Sequence, residues 1–190
     1  MITKRDIVLL CRKLYEKGFV VANDGNISAR IHGGFYITGT GSYFSEIDES
    51  HIVKLDGDGK PVLGEYAHTD PTSELAMHLE VYRQRDDATA VIHAHSPYST
   101  AFSLLEDNTI TCLLTEIKYT LGDIPIAPFA KPGTEEVPES IRDLVKEHDA
   151  IILSNHGVLT LGKSLDEAYW NLERVEHFSK ICYFSRSMSK

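Results

Sequence analysis

The chain has 190 residues, of which 42% are hydrophobic, and carries a formal net charge of −9 at pH 7. This length and hydrophobic content are sufficient for one sizeable core, and the composition shows no break, so we expect a single domain over residues 1–190. The acidic balance leaves no basic stripe for a nucleic-acid backbone and no polybasic surface for anionic lipid, so neither partner is predicted.

Targeting and redox signals are weak along the whole chain. No apolar run approaches the ~18 residues of a membrane span, and residues 1–18 are too interrupted by charge for a signal peptide. We therefore expect a cytoplasmic protein without a membrane partner. Cys11, Cys112 and Cys182 are widely separated, which predicts reduced, mostly buried thiols rather than disulfides or a zinc ribbon.

The first predicted element is an amphipathic helix between Thr3 and Gly18, because apolar residues repeat there at helical spacing. Three short strands follow in the segments NISARI, GFYIT and HIVKL, and the glycine-rich turns between them are typical of an antiparallel meander. A helix over 71–84 comes next, with Asp70 predicted as its N-cap and Pro71 in its first turn.

The second half of the chain mixes helices and buried strands. ATAVIHAH has the pattern of a buried strand, and Ser96-Pro97 is typical of the start of another helix. A helix from about Thr134 to Glu147 precedes two strands, DAIIL and GVLTLG, and a capping-box pattern at Ser164 begins a long last helix. The sequence therefore predicts helices flanking a mainly antiparallel sheet.

Two histidines one residue apart, His93 and His95, end the predicted strand ATAVIHAH. Alternate strand residues point to the same side roughly 6.5 Å apart, so both imidazoles could bind one ion. Two partly buried histidines bonded to carbonyls explain an isolated pair at least as well. His156, at a strand break before Gly157, is a third candidate ligand.

Glu74, near the start of the predicted helix, is the fourth candidate ligand, although an acidic residue there is also favoured by the helix dipole alone. Three nitrogens and one carboxylate oxygen would suit zinc, ahead of manganese, iron or cobalt. His78, one helical turn later, could replace a ligand, but a packing role is favoured. The other histidines are assigned no chemistry: His32, His51, His68, His148 and His177.

The glycine-rich turns DGNIS and TGTG could form an anion pocket, because they bring Asn26, Thr38, Thr40 and backbone amides into turns. Thr72 and Ser73 add hydroxyl and amide donors at the start of the predicted helix. Such turns often only reverse the chain. Neither matches the phosphate-loop or dinucleotide fingerprint, so a nucleotide cofactor is disfavoured.

The ordered motifs GNIS, TGTG, PTSE, HAHS and NHG resemble the class II aldolase/adducin family, and most closely its L-fuculose-1-phosphate aldolase branch. The resemblance implies an α/β fold, a three-layer α/β/α sandwich around a central, mainly antiparallel sheet, assembled as a homotetramer with active sites near subunit interfaces. The implied zinc ligands are Glu74, His93, His95 and His156. The implied phosphate pocket comprises Asn26, Thr40, Gly41, Thr72 and Ser73.

The activity implied by this resemblance is zinc-dependent cleavage of a small phosphorylated sugar. A ketose 1-phosphate, such as L-fuculose 1-phosphate, would give dihydroxyacetone phosphate and a short aldehyde such as lactaldehyde, with Glu74 moving the proton. The glutamate of TSE favours an aldolase, because similar epimerases carry an aspartate there. A related epimerase, dehydratase or decarboxylase is the alternative, and a metal-free adducin-like binding module is another.

The segment LLTEIKYTLG departs from the fuculose-phosphate aldolase branch. Where that branch uses a tyrosine from a neighbouring subunit to protonate the leaving aldehyde, this chain has Thr115 or Glu116, and Tyr119 is shifted. The proton donor, the aldehyde and the stereochemistry of the reaction are therefore left open.

Overall fold

The computed structural model describes residues 1–64, 67–105, 109–110 and 114–188. The strands are β1 Gly25–Ile31, β2 Gly34–Thr38, β3 Ile52–Asp56, β4 Ala90–Ala94, β5 Thr109–Ile110, β6 Ile124–Ala127, β7 Ala150–Leu153 and β8 Gly157–Gly162. The helices are α1 Lys4–Glu16, α2 Leu75–Gln84, α3 Pro97–Ser103, α4 Thr115–Thr120, α5 Glu136–Ile141 and α6 Leu165–Met188, with 3-10 turns at Glu49–His51 and Leu144–Lys146.

The strands form one sheet in the order β3-β2-β1-β4-β8-β7-β6-β5. Within the described chain, the pairing is antiparallel except between β6 and β7, which are parallel. The predicted meander of the first three strands is confirmed. β4 lies between β1 and β8, and its register sets Asn26 opposite His93 on one side and Leu159 opposite His93 on the other.

Two apolar cores cover the two faces of the sheet. Val91 and Ile92 illustrate the division, because successive strand residues point to opposite faces. Ile92 packs in a core with residues of α1 and α6, whereas Val91 packs in a core with residues of α2 and α5. This arrangement confirms the expected three-layer α/β/α sandwich, with helices on both sides of a mainly antiparallel sheet.

The predicted start of the helix over 71–84 is wrong, because α2 begins only at Leu75. Asp70 does not cap it. Instead, Pro71 forms an isolated bridge with Gly39, and the N–H of Thr72 donates to the carbonyl of Thr38 over 3.1 Å. The segment before the helix is therefore extended and pairs with the residues that follow β2, a contact that local sequence patterns do not reveal.

The predicted helix over 134–147 is also wrong in extent. The chain forms the short α5 and then a separate 3-10 turn at Leu144–Lys146, which places Val145 in the core beside Ile141. At the start of α6, the Ser164 hydroxyl accepts from the N–H of Glu167 over 3.0 Å, as expected from the capping-box pattern.

Cys11 is a buried free thiol, and Cys182 is half-buried. Burial raises the pKa of the Cys11 thiol well above its usual value, which keeps it protonated and unreactive. Cys112 lies outside the described residues. In the part of the chain that the structure describes, no helix combines the length and apolar character needed to cross a membrane.

The start of α3 is held by a side chain from another helix. Ser96 occupies the N-cap position without a side-chain capping bond. The buried Glu176 carboxylate of α6 instead accepts from the backbone N–H groups of Tyr98 and Ser99, over 3.0 and 2.9 Å. These N–H groups have no intrahelical acceptor, so Glu176 of α6 serves as the N-terminal cap of α3.

We predict that Glu176→Ala lowers the free energy of unfolding by about 2 kcal/mol, because it leaves two backbone donors without their acceptor. Urea denaturation followed by circular dichroism measures the change. Glu16→Ala, which removes an exposed carboxylate from α1, is the matched control and should stay within about 0.5 kcal/mol of the parent. Equal stability of the two variants would contradict a capping role for Glu176.

Candidate active site

The end of β4 and the turn between β7 and β8 lie at the same end of the sheet and bring the predicted ligands together. His93 is the penultimate residue of β4, and His95 follows the end of that strand. His156 lies in the tight turn between β7 and β8, where Asn155 adopts a left-handed backbone with φ 55°. Asparagine tolerates this conformation better than most residues, so the turn projects His156 towards the histidines of β4.

The three imidazoles form a compact cluster. Each offers a ring nitrogen, and these nitrogens all lie within 4.8 Å of one another. The Nε2 atoms of His93 and His95 are 3.1 Å apart. The Nδ1 atom of His93 lies 3.0 Å from the carbonyl oxygen of Val158, which can only accept, so Nδ1 carries the proton. The Nε2 lone pair of His93 therefore faces the cluster, as a metal ligand requires.

The carboxylate of Glu74 completes the cluster from the helical layer. Its Oε2 is 3.3 Å from Nε2 of His93, and its Oε1 is 3.5 Å from Nε2 of His156. Asn26 donates from Nδ2 to Oε2 over 2.9 Å, whereas Oε1 is buried and has no hydrogen bond among the described residues. A buried carboxylate oxygen without a partner is costly, and a cation between Glu74 and the imidazoles would satisfy it.

Burial controls the charge of the histidines. It is the main cause that lowers the pKa of His93, His95 and His156, and that of His93 is well below the usual value. Each of these rings is therefore held in the neutral form, which is the form that binds a metal. The donor set of three neutral nitrogens and one carboxylate oxygen fits a divalent transition metal such as zinc.

A cavity of about 260 Å³ opens beside the histidine cluster. Glu74, His95 and His156 are among its lining residues. The five residues implied as a phosphate pocket also line it: Asn26, Thr40, Gly41, Thr72 and Ser73. A larger cavity of about 560 Å³ lies near the starts of α1 and α6, but its lining includes none of the clustered ligands. The smaller cavity is therefore the candidate active site.

The cavity also has lining residues that the sequence patterns did not single out. Asn23 and Asp24 precede β1, and Pro132 and Gly133 come from the loop before α5. Asp24-Gly25 and Pro132-Gly133 are turn signals, but they carry no information about which cavity the turn will border. Thr115, Glu116 and Tyr119 are exposed on α4 and do not line the cavity in the single chain.

His78 does not belong to the metal cluster, in agreement with the assignment made from the sequence. It is fully buried on α2 and hydrogen-bonded to Ser28 and Asn26. Burial lowers the pKa of His78 to about 3, so its ring is neutral at physiological pH. Its two hydrogen bonds mean that it does more than fill space.

Comparison with known proteins finds one family over nearly the whole chain. The profile of the Class II Aldolase and Adducin N-terminal domain matches residues 5–183. An L-fuculose phosphate aldolase from Methanococcus vannielii is 36% identical over 186 residues, which are 98% of each chain. A 3-oxo-tetronate 4-phosphate decarboxylase from Escherichia coli O6:H1 is 29% identical over 185 residues, covering 95% of this chain and 85% of that protein.

A solved structure has the same fold. The structure of an L-fuculose 1-phosphate aldolase matches this chain with a TM-score of 0.90 and 31% sequence identity. The match covers 98% of this chain and 87% of the solved one. The two folds therefore match over almost the full length of this chain.

We predict that Gly157→Ala weakens zinc binding by about tenfold or more, the range found when the support of a ligand is lost. A Cβ at this position would lie 2.6 Å from the carbonyl oxygen of Ala94 and 2.7 Å from Cδ2 of His95, so the imidazole must move. Competition with a chromophoric chelator measures the affinity. In the control Gly57→Ala, the added Cβ meets nothing within 4 Å. Equal affinities would contradict the steric argument.

We predict that the metal-free protein loses stability as the pH falls below about 6.5, the usual histidine pKa. The buried histidines resist protonation in the folded state but not in the unfolded chain, so unfolding takes up protons and acid favours it. For His78 the effect extends down to its folded pKa of about 3.

The urea concentration at the midpoint of unfolding, measured between pH 7 and pH 5, tests whether stability falls as the pH is lowered. His78→Gln should flatten the profile, by up to about 1.4 kcal/mol per pH unit. A stability that is constant or rises on acidification would refute the prediction.

Proposed function

The chain belongs to the class II aldolase and adducin N-terminal domain family, and on this premise we propose that it is a zinc-dependent aldolase acting on a ketose 1-phosphate. L-fuculose 1-phosphate is the first candidate substrate, with dihydroxyacetone phosphate and lactaldehyde as products. The observation that carries the proposal is the buried Oε1 of Glu74, which has no hydrogen bond among the described residues and lies 3.5 Å from Nε2 of His156 in the cluster of three imidazoles. Acid–base chemistry beside a cation needs such a carboxylate.

The metal would be held by Glu74, His93, His95 and His156. Zinc suits three nitrogens and one oxygen better than magnesium or calcium, which prefer oxygen ligands. When bound, a divalent cation would act as a Lewis acid that withdraws electron density from the substrate carbonyl. The depressed pKa of the histidines supports this assignment, because no proton needs to leave the rings at neutral pH.

The phosphate would bind in the same cavity, between Asn26, Thr40, Gly41, Thr72 and Ser73. Gly41 has a positive φ of 70°, a conformation that lets the turn expose backbone amides without a side chain in the way. Hydroxyl and amide donors neutralise an anion locally, so the overall negative charge of the chain does not oppose binding.

Glu74 would move the proton in the reaction. In the cleavage direction, the hydroxyl proton of the fourth carbon is removed and the bond between the third and fourth carbons breaks. The third carbon then gains a proton, and Glu74 would deliver it. In synthesis, Glu74 would remove that proton. Asn26 holds Oε2 through a hydrogen bond, so Oε1, which would leave the cation when substrate binds, would be the oxygen that carries this proton.

The assembly that we propose is a homotetramer with each active site near a subunit interface. Large apolar side chains are exposed on the single chain at Tyr119, Phe129, Trp170 and Tyr183. Contacts between the subunits of a tetramer would remove apolar surface of this kind from water. The group that takes the hydroxyl proton of the fourth carbon in cleavage, and returns it to the aldehyde oxygen in synthesis, would then come from a neighbouring copy. Light scattering coupled to gel filtration tests the tetramer, and the cytoplasmic location stays a prediction.

A decarboxylase is the second candidate, because a relative with that name matches 95% of this chain. It would use the same cation and phosphate sites but release carbon dioxide from a 3-oxo acid phosphate. Epimerases and dehydratases on this scaffold are further possibilities.

Incubation of the zinc-loaded protein with dihydroxyacetone phosphate and lactaldehyde separates these functions. An aldolase joins the two, and the ketose phosphate is detected by mass spectrometry. A parallel reaction with a 3-oxo-tetronate 4-phosphate measures carbon dioxide. Release of carbon dioxide without condensation would replace the aldolase proposal by the decarboxylase. A protein that neither binds zinc nor turns over any of these compounds would be a binding module.

We predict that Glu74→Gln lowers kcat by about 10²- to 10⁴-fold while retaining some zinc, because the amide can no longer accept a proton. His95→Ala should instead lose zinc and activity together. Metal analysis and aldol condensation are measured on the same samples. Full activity of Glu74→Gln would exclude the acid–base role.

A further inference from the structure

A chain of buried hydrogen bonds leads from Glu74 into the layer between α2 and the sheet. Its members are Asn26 and Ser28 on β1, and His78 and Tyr82 on α2, each no more than 5% exposed. Tyr82 Oη lies 2.8 Å from Ser28 Oγ, which lies 2.7 Å from His78 Nδ1. His78 Nε2 lies 2.5 Å from Asn26 Oδ1, and Asn26 Nδ2 donates to Glu74 Oε2 over 2.9 Å.

The chemistry of the groups fixes which group donates and which accepts in each of these hydrogen bonds. The Glu74 carboxylate can only accept, so Asn26 turns its nitrogen towards Glu74 and its oxygen towards His78. Nε2 of His78 must therefore carry a hydrogen. A neutral imidazole has one such hydrogen, so Nδ1 of His78 accepts from the Ser28 hydroxyl. Ser28 in turn accepts from the hydroxyl of Tyr82.

We infer that His78, acting through Asn26, is a positioning residue that holds Oε2 of Glu74, so that Oε1 is the oxygen that carries the proton once substrate displaces it from the cation. This inference rests on the proposed aldolase reaction. His78 touches neither the metal cluster nor the cavity. Its effect is exerted by fixing the Asn26 amide, which would otherwise be able to rotate and present its oxygen to the carboxylate.

This series of hydrogen bonds orients Glu74 and does not conduct protons. The Asn26 amide interrupts it, because an amide does not readily gain or lose a proton at neutral pH. One N–H of Asn26 is used by Glu74, and its second N–H is left for the phosphate proposed above. Asn26 can therefore contact both the Glu74 carboxylate and the phosphate, and its hydrogen bond with His78 sets its orientation.

The first experiment measures the tautomer of His78 in the parent protein, with and without zinc. Nitrogen-15 NMR that correlates ring nitrogens with ring hydrogens distinguishes the two neutral forms, and His78→Gln identifies the His78 signals. We expect the hydrogen on Nε2. A hydrogen on Nδ1 would overturn the inference, because Nε2 could then not donate to Asn26. The tautomer is read from the parent protein, and the measurement requires no enzymatic activity.

The second experiment compares His78→Leu with His78→Gln. Leu removes the donor, and we expect kcat to fall about 10- to 100-fold, the range for outer partners of metal ligands. KM for the ketose phosphate and bound zinc should change less than about twofold. Gln can donate an N–H near the position of Nε2 and should restore most of kcat. Asn171→Leu removes a buried amide from α6 and controls for lost stability.

The outcomes separate this inference from the proposed function. An active parent enzyme with the Nε2–H tautomer, and with activity lost in His78→Leu but restored in His78→Gln, supports both. An inactive parent with the Nε2–H tautomer supports the hydrogen-bond chain and refutes the proposed reaction. Unchanged kcat in a folded His78→Leu protein, or loss in proportion to stability as for Asn171→Leu, refutes the positioning role.

Discussion

The pairing of β4 with both β1 and β8 is the constraint on which the candidate site depends. It sets His93 beside Asn26 on one neighbouring strand and beside Leu159 on the other. The side chain of His93 therefore shares a face of the sheet with that of Asn26, and this is the face covered by α2. Glu74 comes down onto that face at the start of the helix. Without this register the imidazoles and the carboxylate would point to different sides of the sheet.

The part of the site that depends on local chain geometry could be predicted from the sequence. The two-residue period of a strand brings His93 and His95 to one side, and the break before Gly157 projects His156. The meander of β1 to β3 and the limits of α1 are of the same kind, because periodicity and turn residues specify them. These elements lie where the sequence predicted them, within one or two residues.

What could not be predicted depends on contacts between distant segments. The residues before Glu74 look like the first turn of a helix, but Pro71 and Thr72 pair with the chain after β2 and delay α2 to Leu75. His78 looked like a packing residue, because its partners are 50 and 52 positions away. Pro132 and Gly133 reach the cavity for a similar reason, since their loop is far from the other lining segments in sequence.

The ligands of the candidate centre belong to two different layers of the sandwich. The imidazoles are carried by the sheet, whereas Glu74 is carried by a helix that is tied to its neighbour by the buried Glu80, which accepts from Arg142 over 2.7 Å. A substitution under α2 would therefore act first on the carboxylate, because the histidines are held by β4 and by the turn between β7 and β8. The reactivity of the carboxylate can therefore change during evolution while the three histidine ligands on the sheet are kept.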